Sequence, residues 1–418
     1  MLLPGSKGWI NKYFSLIDDG EVILKYSKMN GITSQHHLHI LSGKSGIVFG
    51  YASRFLFFNK DDSARWTEEE KLKFLLFETL LLVYIQKNGK TENLRNDFID
   101  SLLAYYSKHN TKSIQSLLTF WIKESRSTRL ENIFSKRVDV SKGIFDNRWW
   151  FKTMSNVFVY LDVILYDRFL NHGDEEALRS YSEYAYNSLI AIILAANSDG
   201  FVDEKEQAMF NTFLSSANLE GEFKENAVHH MKNGASYASF TDLPKNDKLF
   251  CRFILDLSLL TIFGNNDILQ TEVDFINELS QELELENYDV EESMAIIEHF
   301  LLYTDVQNSF LGNKNVYEKV YSSFTSRWTK VILRNKDKLT VELSQSKELV
   351  GLIKKSAKQE LTLDEKEKVK TQFMDIVKSM PALAIFLLPG GAILLPLILK
   401  VLPDLIPSAF RDNEVDHR

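Results

Sequence analysis

A short acidic turn is the first place where this sequence could do chemistry. In AANSDGFVDEKE, residues 195–206, Asp199, Asp203 and Glu206 surround Gly200 just after an apolar run. With Gly200 at the sixth position of a calcium loop, Asp199 falls at the fifth, Asp203 at the ninth and Glu206 at the twelfth. The first position is then Ala195 and the third Asn197, so the strongest early ligand is missing. A divalent cation is the cofactor such a turn would take. The competing role is helix initiation, because carboxylates in a first turn are stabilised by the helix dipole and by free backbone N–H groups. On the residues alone, Asp199, Asp203 and Glu206 stand as candidates for both.

Other chemistry is thinner. SGKSG (42–46) has the end of a phosphate-binding loop, but the glycine that should precede it is replaced by Leu38. HHLH (36–39) and His229-His230 offer imidazoles without a neighbouring cysteine and without zinc-site spacing, so they read as structural or surface residues. Cys251 lies in the apolar run LFCRFILDL and reads as a buried thiol. As the single cysteine it excludes an intramolecular disulfide framework. Trp149 and Trp150 fit a helix junction better than a ligand cage. Neither a nucleophile elbow nor a Cys/His signature is present, and the chain is expected not to be an enzyme.

The elements that must position these residues are helical. From Trp66 onward, apolar residues recur three and four apart. TEEEKLKFLLFETLLLVYIQKNG opens on a capping box from Thr67 to Glu70 and ends at Asn88-Gly89. Between Pro4 and Pro244 there is no proline to break a helix. The expected class is all-α. Residues 1–65 are the least readable segment, 66–179 a helical domain, 180–302 a second one, 303–370 a polar, lysine-rich helical linker and 371–418 a distinct apolar segment.

Composition limits the function classes. Apolar residues make up 44% and charged residues 25% of 418, which suits globular domains and is too apolar for disorder. A net charge of −8 gives no general basic surface for phosphates, so direct DNA binding is not expected. The start MLLPGSKGWINKYF lacks the parts of a secretory signal, which places the bulk of the chain in the cytoplasm.

The acidic turn recurs. An offset of 66 residues carries Asp199-Gly200 onto Asn265-Asn266, Val202 onto Ile268 and Glu206 onto Glu272, without a gap. The apolar helices before the two turns superpose in the same register, which points to an internal helical duplication. This pair of turns resembles the TerB-like fold of tellurite-resistance proteins over about residues 180–302. The resemblance implies a bacterial source and a metal role for Asp199, Asp203 and Glu206. The second turn keeps only Asp267 and Glu272 as acids.

PALAIFLLPGGAILLPLILKVLPDLIPSAF, residues 381–410, holds five of the seven prolines. Met380 to Leu399 is 20 residues without a charge, the length that crosses a bilayer as a helix. Pro381, Pro389, Pro396 and Gly390-Gly391 would break such a helix in water, whereas a membrane protein can re-satisfy the freed backbone groups. The residues allow a span, a re-entrant segment or a buried hairpin of a soluble core. Lysines and arginines are too evenly placed on both sides to set an orientation.

The spacing of Pro381, Pro389, Pro396, Lys400, Pro403, Pro407 and Phe410, ending LIPSAF, resembles the LETM1 family over about residues 370–410. These are inner mitochondrial membrane proteins implicated in cation/proton exchange and ribosome contact. The resemblance implies an inner-membrane location and the ribosome as a partner. Two departures stand out. Where the family places an acid three residues after its second proline, this chain has Ala392, which removes the natural ion carrier. The family also continues into a sizeable soluble ribosome-binding domain, whereas this sequence ends at Arg418. The leading expectation is a membrane-associated, non-enzymatic adaptor or scaffold whose partners include ribosomes, other proteins or further copies of itself. The alternatives are a cation/proton exchanger or its regulatory subunit, and a cytoplasmic, soluble metal-responsive module.

Overall fold

The computed structural model describes residues 2–24, 31–59, 61–108, 124–138, 154–172, 180–198, 200, 202, 204–263, 270–303, 314–380, 383 and 399. Among them the chain is all-α and contains no strand. Its helices are α1 Trp9–Asp18, α2 Ser34–Ser45, α3 Glu68–Asn88, α4 Leu94–Lys108, α5 Arg126–Arg137, α6 Tyr160–His172, α7 Ser180–Ala196 and α8 Glu204–Ala217. They continue with α9 Gly221–Asn233, α10 Lys248–Phe263, α11 Gln270–Glu282, α12 Asn287–Tyr303, α13 Lys314–Arg334, α14 Lys336–Gln345, α15 Lys347–Lys358 and α16 Leu363–Ser379. The chain divides into two units, one of residues 1–27 and 41–297, the other of residues 28–40 and 298–418.

In the larger unit α3 is the central helix. Thr67 caps it with the expected box, its hydroxyl accepting from Glu70 N–H while the Glu70 carboxylate accepts from Thr67 N–H. Gly89 ends it at φ 73°, a left-handed position open to glycine without strain. Every residue from Leu72 to Ile85 is buried, the mark of a helix enclosed on all sides. Phe74 and Phe77 meet Tyr13 of α1 at ring separations of 5.2 Å each, and Trp66 closes on Phe74 at 5.0 Å. The N-terminal segment that the sequence leaves unreadable is thus drawn into helix by the aromatic core it covers. The first turn of α1 has no side-chain cap of its own. Glu131 of α5 supplies one, accepting from Gly8 N–H at 2.9 Å and Ile10 N–H at 3.1 Å.

Glu78, in the middle of α3, is fully buried. Its carboxylate accepts from the N–H groups of Leu56 at 2.7 Å, Phe57 at 3.1 Å and Phe58 at 2.9 Å, and from the Tyr13 hydroxyl at 2.8 Å. These four donors join an irregular loop and α1 to one side chain. Burial pushes the Glu78 carboxyl up to about 7 against the opposite pull of those donors.

Three arginine–carboxylate pairs tie the remaining helices of this unit. Arg137 of α5 donates twice to Asp162 of α6, at 2.7 Å each, and Tyr106 of α4 donates to the same carboxylate at 3.0 Å. Arg168 of α6 donates to the Tyr184 hydroxyl of α7 at 2.9 Å, and Tyr184 donates to Asp247 at 3.0 Å. Arg252 of α10 holds Asp289 of α12 at 2.6 and 2.9 Å.

The 66-residue offset reappears in the backbone. It carries the start of α8 onto that of α11 and the start of α9 onto that of α12. Asn218 and Glu284, also 66 apart, are the two non-glycine residues with positive φ among the described residues, at 49° and 53°. Each follows the last turn of its helix and is followed by a buried leucine, Leu219 or Leu285.

Two outcomes follow for stability. Glu78→Gln places an amide donor among donors, and should lower stability by about 1–3 kcal/mol in urea titrations. Because the folded carboxyl is raised, its contribution is present at low pH and fades as pH climbs from the ordinary carboxylate value toward about 7. The stability gap between wild type and Glu78→Gln should therefore narrow across that window, and an unchanged gap would remove Glu78 from the linkage. Glu284→Gly should leave the urea midpoint unchanged or raise it by up to about 1 kcal/mol equivalent, because the left-handed strain is relieved.

Candidate functional site

The acidic turn lies between α7 and α8. Gly200 has φ +86°, and Glu206 occupies the first turn of α8, buried. Asp199 and Asp203 lie outside the described residues. At the equivalent position of α11, Glu272 is also in the first turn and buried. Among the described residues no group of three His, Cys, Asp or Glu side chains could hold a metal ion.

The weaker motifs resolve into structure. SGKSG closes α2 instead of preceding a helix, with Gly46 at φ 85° just beyond its end. Its N–H groups point back into that helix, as Gly46 N–H to Ser42 C=O shows, and form no phosphate cradle. His36, His37 and His39 are buried on α2, and burial together with His36 lowers His37 to about 4. Cys251 is a buried thiol pushed up to about 12 by desolvation. His229 and His230 end α9 and engage Asn233 and the Gly234 carbonyl. Trp149 and Trp150 lie outside the described residues.

The more developed candidate is the lysine-rich region that the sequence presents as a polar linker. It carries four helices with a continuous buried face. Phe324, Trp328 and Ile332 of α13, Leu339 and Leu343 of α14, Leu349 and Ile353 of α15, and Val369, Phe373 and Val377 of α16 are all buried. These positions follow helical spacing, but the charged residues between them mask the pattern in a composition reading. Glu298, at the end of α12, adds a buried carboxylate that accepts from Ser323 at 2.7 Å and from Arg327 at 3.3 Å, and burial raises its pKa against the pull of Arg327.

Within this region α15 and α16 form a laced pair. The Ser346 hydroxyl caps α15 by accepting from Leu349 N–H, and Thr362 and Glu365 form a capping box on α16. Across the pair, Lys355 meets Glu365 at 2.6 Å, Lys368 meets Glu348 at 3.1 Å and Gln372 donates to Glu348 at 2.6 Å. Lys366 meets Glu360 at 2.8 Å in the connecting loop. The hydrogen bond from Lys368 lowers Glu348, that from Lys366 lowers Glu360, and that from Lys355 lowers Glu365. Depressed carboxyls stabilise the fold above their unfolded pKa, and that contribution is lost as pH falls through the folded value. Glu348 and Glu360 are exposed and Glu365 is half-buried, so salt weakens the lacing.

The packing makes two substitutions informative. Thr362→Ala should cost about 1 kcal/mol through the lost cap, and Phe373→Ala about 3–5 kcal/mol through a core cavity. Hydrogen exchange on the full chain should then accelerate in residues 363–379 before it does in α3. Equal protection in wild type and Phe373→Ala would mean that α16 is not held by this core.

Pro381, Pro389, Pro396, Lys400, Pro403, Pro407 and Phe410 lie outside the described residues. Among the described residues no helix is long and apolar enough to cross a membrane. Residues 361–418, which take in α16 and the whole proline ladder, match the family model described as LETM1-like, RBD. No curated protein and no solved structure matches the chain. The C-terminal region is therefore LETM1-like.

Proposed function

We propose that this protein is a membrane-associated, non-enzymatic adaptor whose LETM1-like C-terminal region contacts the ribosome. The observation that carries this reading is the match of residues 361–418 to a family model named for an RBD, read as a ribosome-binding domain. The hairpin of α15 and α16 supports it physically. Its capped helices and shared core give the start of the matched region a rigid base, and a rigid base limits the entropy lost on binding. The uncharged run from Met380 to Leu399 supplies the apolar length for membrane attachment. The recurrence of helix starts and of left-handed residues at an offset of 66 supports reading residues 180–302 as a TerB-like duplication, and with it a bacterial source.

A cation/proton exchanger is the second reading, and Ala392 weighs against it because an intramembrane carboxylate is the usual proton carrier. Co-sedimentation with purified ribosomes tests the leading reading. The full chain should pellet with ribosomes through a sucrose cushion, and a chain ending at Lys378 should lose at least about tenfold in affinity, equivalent to about 1.4 kcal/mol. Equal pelleting of both forms would move ribosome contact away from residues 379–418, and no pelleting of either would reject it. Cation-dependent proton flux in proteoliposomes would favour the exchanger instead.

A further inference from the structure

The exposed side of α13 and α14 differs from the laced hairpin that follows it. Between residues 314 and 345 there are seven Lys and Arg residues and three Asp and Glu residues, in a chain whose net charge is −8. In α15 and α16 the lysines Lys355, Lys368, Lys370 and Lys378 each face a carboxylate. Lys330, Lys336 and Lys338 are exposed and form no ion pair with a described carboxylate. Of the three acids in the segment, Glu318 is exposed near the start of α13, Asp337 sits in the first turn of α14, where the helix dipole accommodates it, and Glu342 is half-buried.

The same side exposes apolar surface. Leu333 is 52% exposed and Val341 59%, whereas most aliphatic side chains in this unit are enclosed. Lys330, Leu333 and Arg334 stand at i, i+3 and i+4, so they share one face of α13. That face lies opposite the buried Trp328 and Ile332. Lys338 and Val341, at i and i+3, repeat the arrangement on α14 opposite Leu339 and Leu343. Only Asn335, at φ −105° and ψ 16°, separates the two helices. Leu333 and Val341 are eight residues apart, one on each side of this break.

Single exposed leucines and valines are ordinary on a protein surface. Uncompensated lysines beside exposed aliphatic side chains on the outer faces of successive helices are the pattern of elements that lie in the headgroup layer of a bilayer. There, aliphatic groups enter the acyl boundary and lysines meet anionic phosphates. We propose that the outer faces of α13 and α14, formed by Lys330, Leu333 and Arg334 on the first and by Lys338 and Val341 on the second, dock on an anionic lipid bilayer. The occupant follows from charge and shape together. A neutral bilayer would leave Lys330 and Lys338 unanswered, and an acidic soluble partner would not require Leu333 and Val341 to project. The proposal deepens the membrane reading of the chain and rests on it, because it names the lipid class and a second contact beyond the proline ladder.

The test uses the full chain and large unilamellar vesicles of phosphatidylcholine alone, or with about one third phosphatidylglycerol, in a flotation assay. Wild type should bind the anionic vesicles at least about tenfold more tightly than the neutral ones, with the preference falling as salt is raised. Lys330→Glu with Lys338→Glu should abolish the preference while leaving binding to neutral vesicles unchanged. Leu333→Ser with Val341→Ser should weaken anionic binding several-fold and leave its salt dependence in place. All four positions are exposed, so helical circular dichroism should be unaltered and serves as the folding control. If wild type binds both vesicle types equally and neither variant changes that, the proposal is overturned while the membrane reading stands. If wild type binds neither, both are overturned. A concentration-dependent rise in mass by light scattering, lost in the variants and unaccompanied by a lipid preference, would assign the face to a second copy of the chain and overturn the proposal.

Discussion

Charge buried inside a helical protein must be answered, and the larger unit is organised by how it is answered. Asp162, Asp247 and Asp289 are buried carboxylates on or beside different helices, and each is held by a group on another helix. Removing water from such ions is costly, and hydrophobic residues of the same volume would serve stability as well or better. What the pairs provide is register. Arg137, Tyr106 and Asp162 meet only when α4, α5 and α6 stand at one mutual rotation, and Arg252 with Asp289 imposes the same condition on α10 and α12. An apolar interface between long helices could slide by a turn, whereas a bidentate guanidinium–carboxylate pair cannot. Glu78 extends the logic to irregular backbone. Three consecutive N–H groups without a helical partner find one carboxylate, so a loop is fixed with the firmness of a helix end.

The part of the fold that the sequence makes legible is the part governed by local rules. The capping box at Thr67 and the glycine at 89 bound α3 where they should, because both act within one turn of the chain. The 66-residue offset, found from a few acidic and apolar positions, also aligns helix starts and the left-handed pair Asn218 and Glu284. Glu284 is the more telling of the two. Glutamate disfavours positive φ, so its presence there means that the turn geometry is dictated by the packing of α11 and α12 and not by the residue that occupies it. A reading from residue type alone would not have selected it.

Two regions were opaque for opposite reasons. Residues 1–65 mix glycine with short apolar runs, and α1 depends on Glu131, more than a hundred residues away, for its first-turn N–H groups. No local signal can report a cap supplied by a distant helix. The region after residue 303 hides its core under charge. Ten lysines and eight acids between 336 and 380 read as a solvated linker, yet their pairing across α15 and α16 leaves the intervening leucines, valines and Phe373 free to form a buried face. Of the candidate site residues, Glu206 emerges as a buried first-turn carboxylate, matched by Glu272, which agrees with either a helix-initiating or a ligand role.

Lacing and exposure also divide the labour within the C-terminal unit. Across α15 and α16, Lys355, Lys366, Lys368, Lys370 and Lys378 each meet a carboxylate, so much of the charge near the start of the LETM1-like region is answered within the pair, whose helices are capped. A balanced surface recognises a partner through shape and directed hydrogen bonds, because long-range attraction has been neutralised within the pair. In α13 and α14, Lys330 and Lys338 remain uncompensated and stand beside exposed aliphatic groups, which suits attraction to an extended charged surface over fitting a specific pocket. The two helix pairs share one apolar face but present different chemistry outward. On the proposed reading, such a division would let one short stretch of chain hold a membrane surface with one pair while the other receives a macromolecular partner.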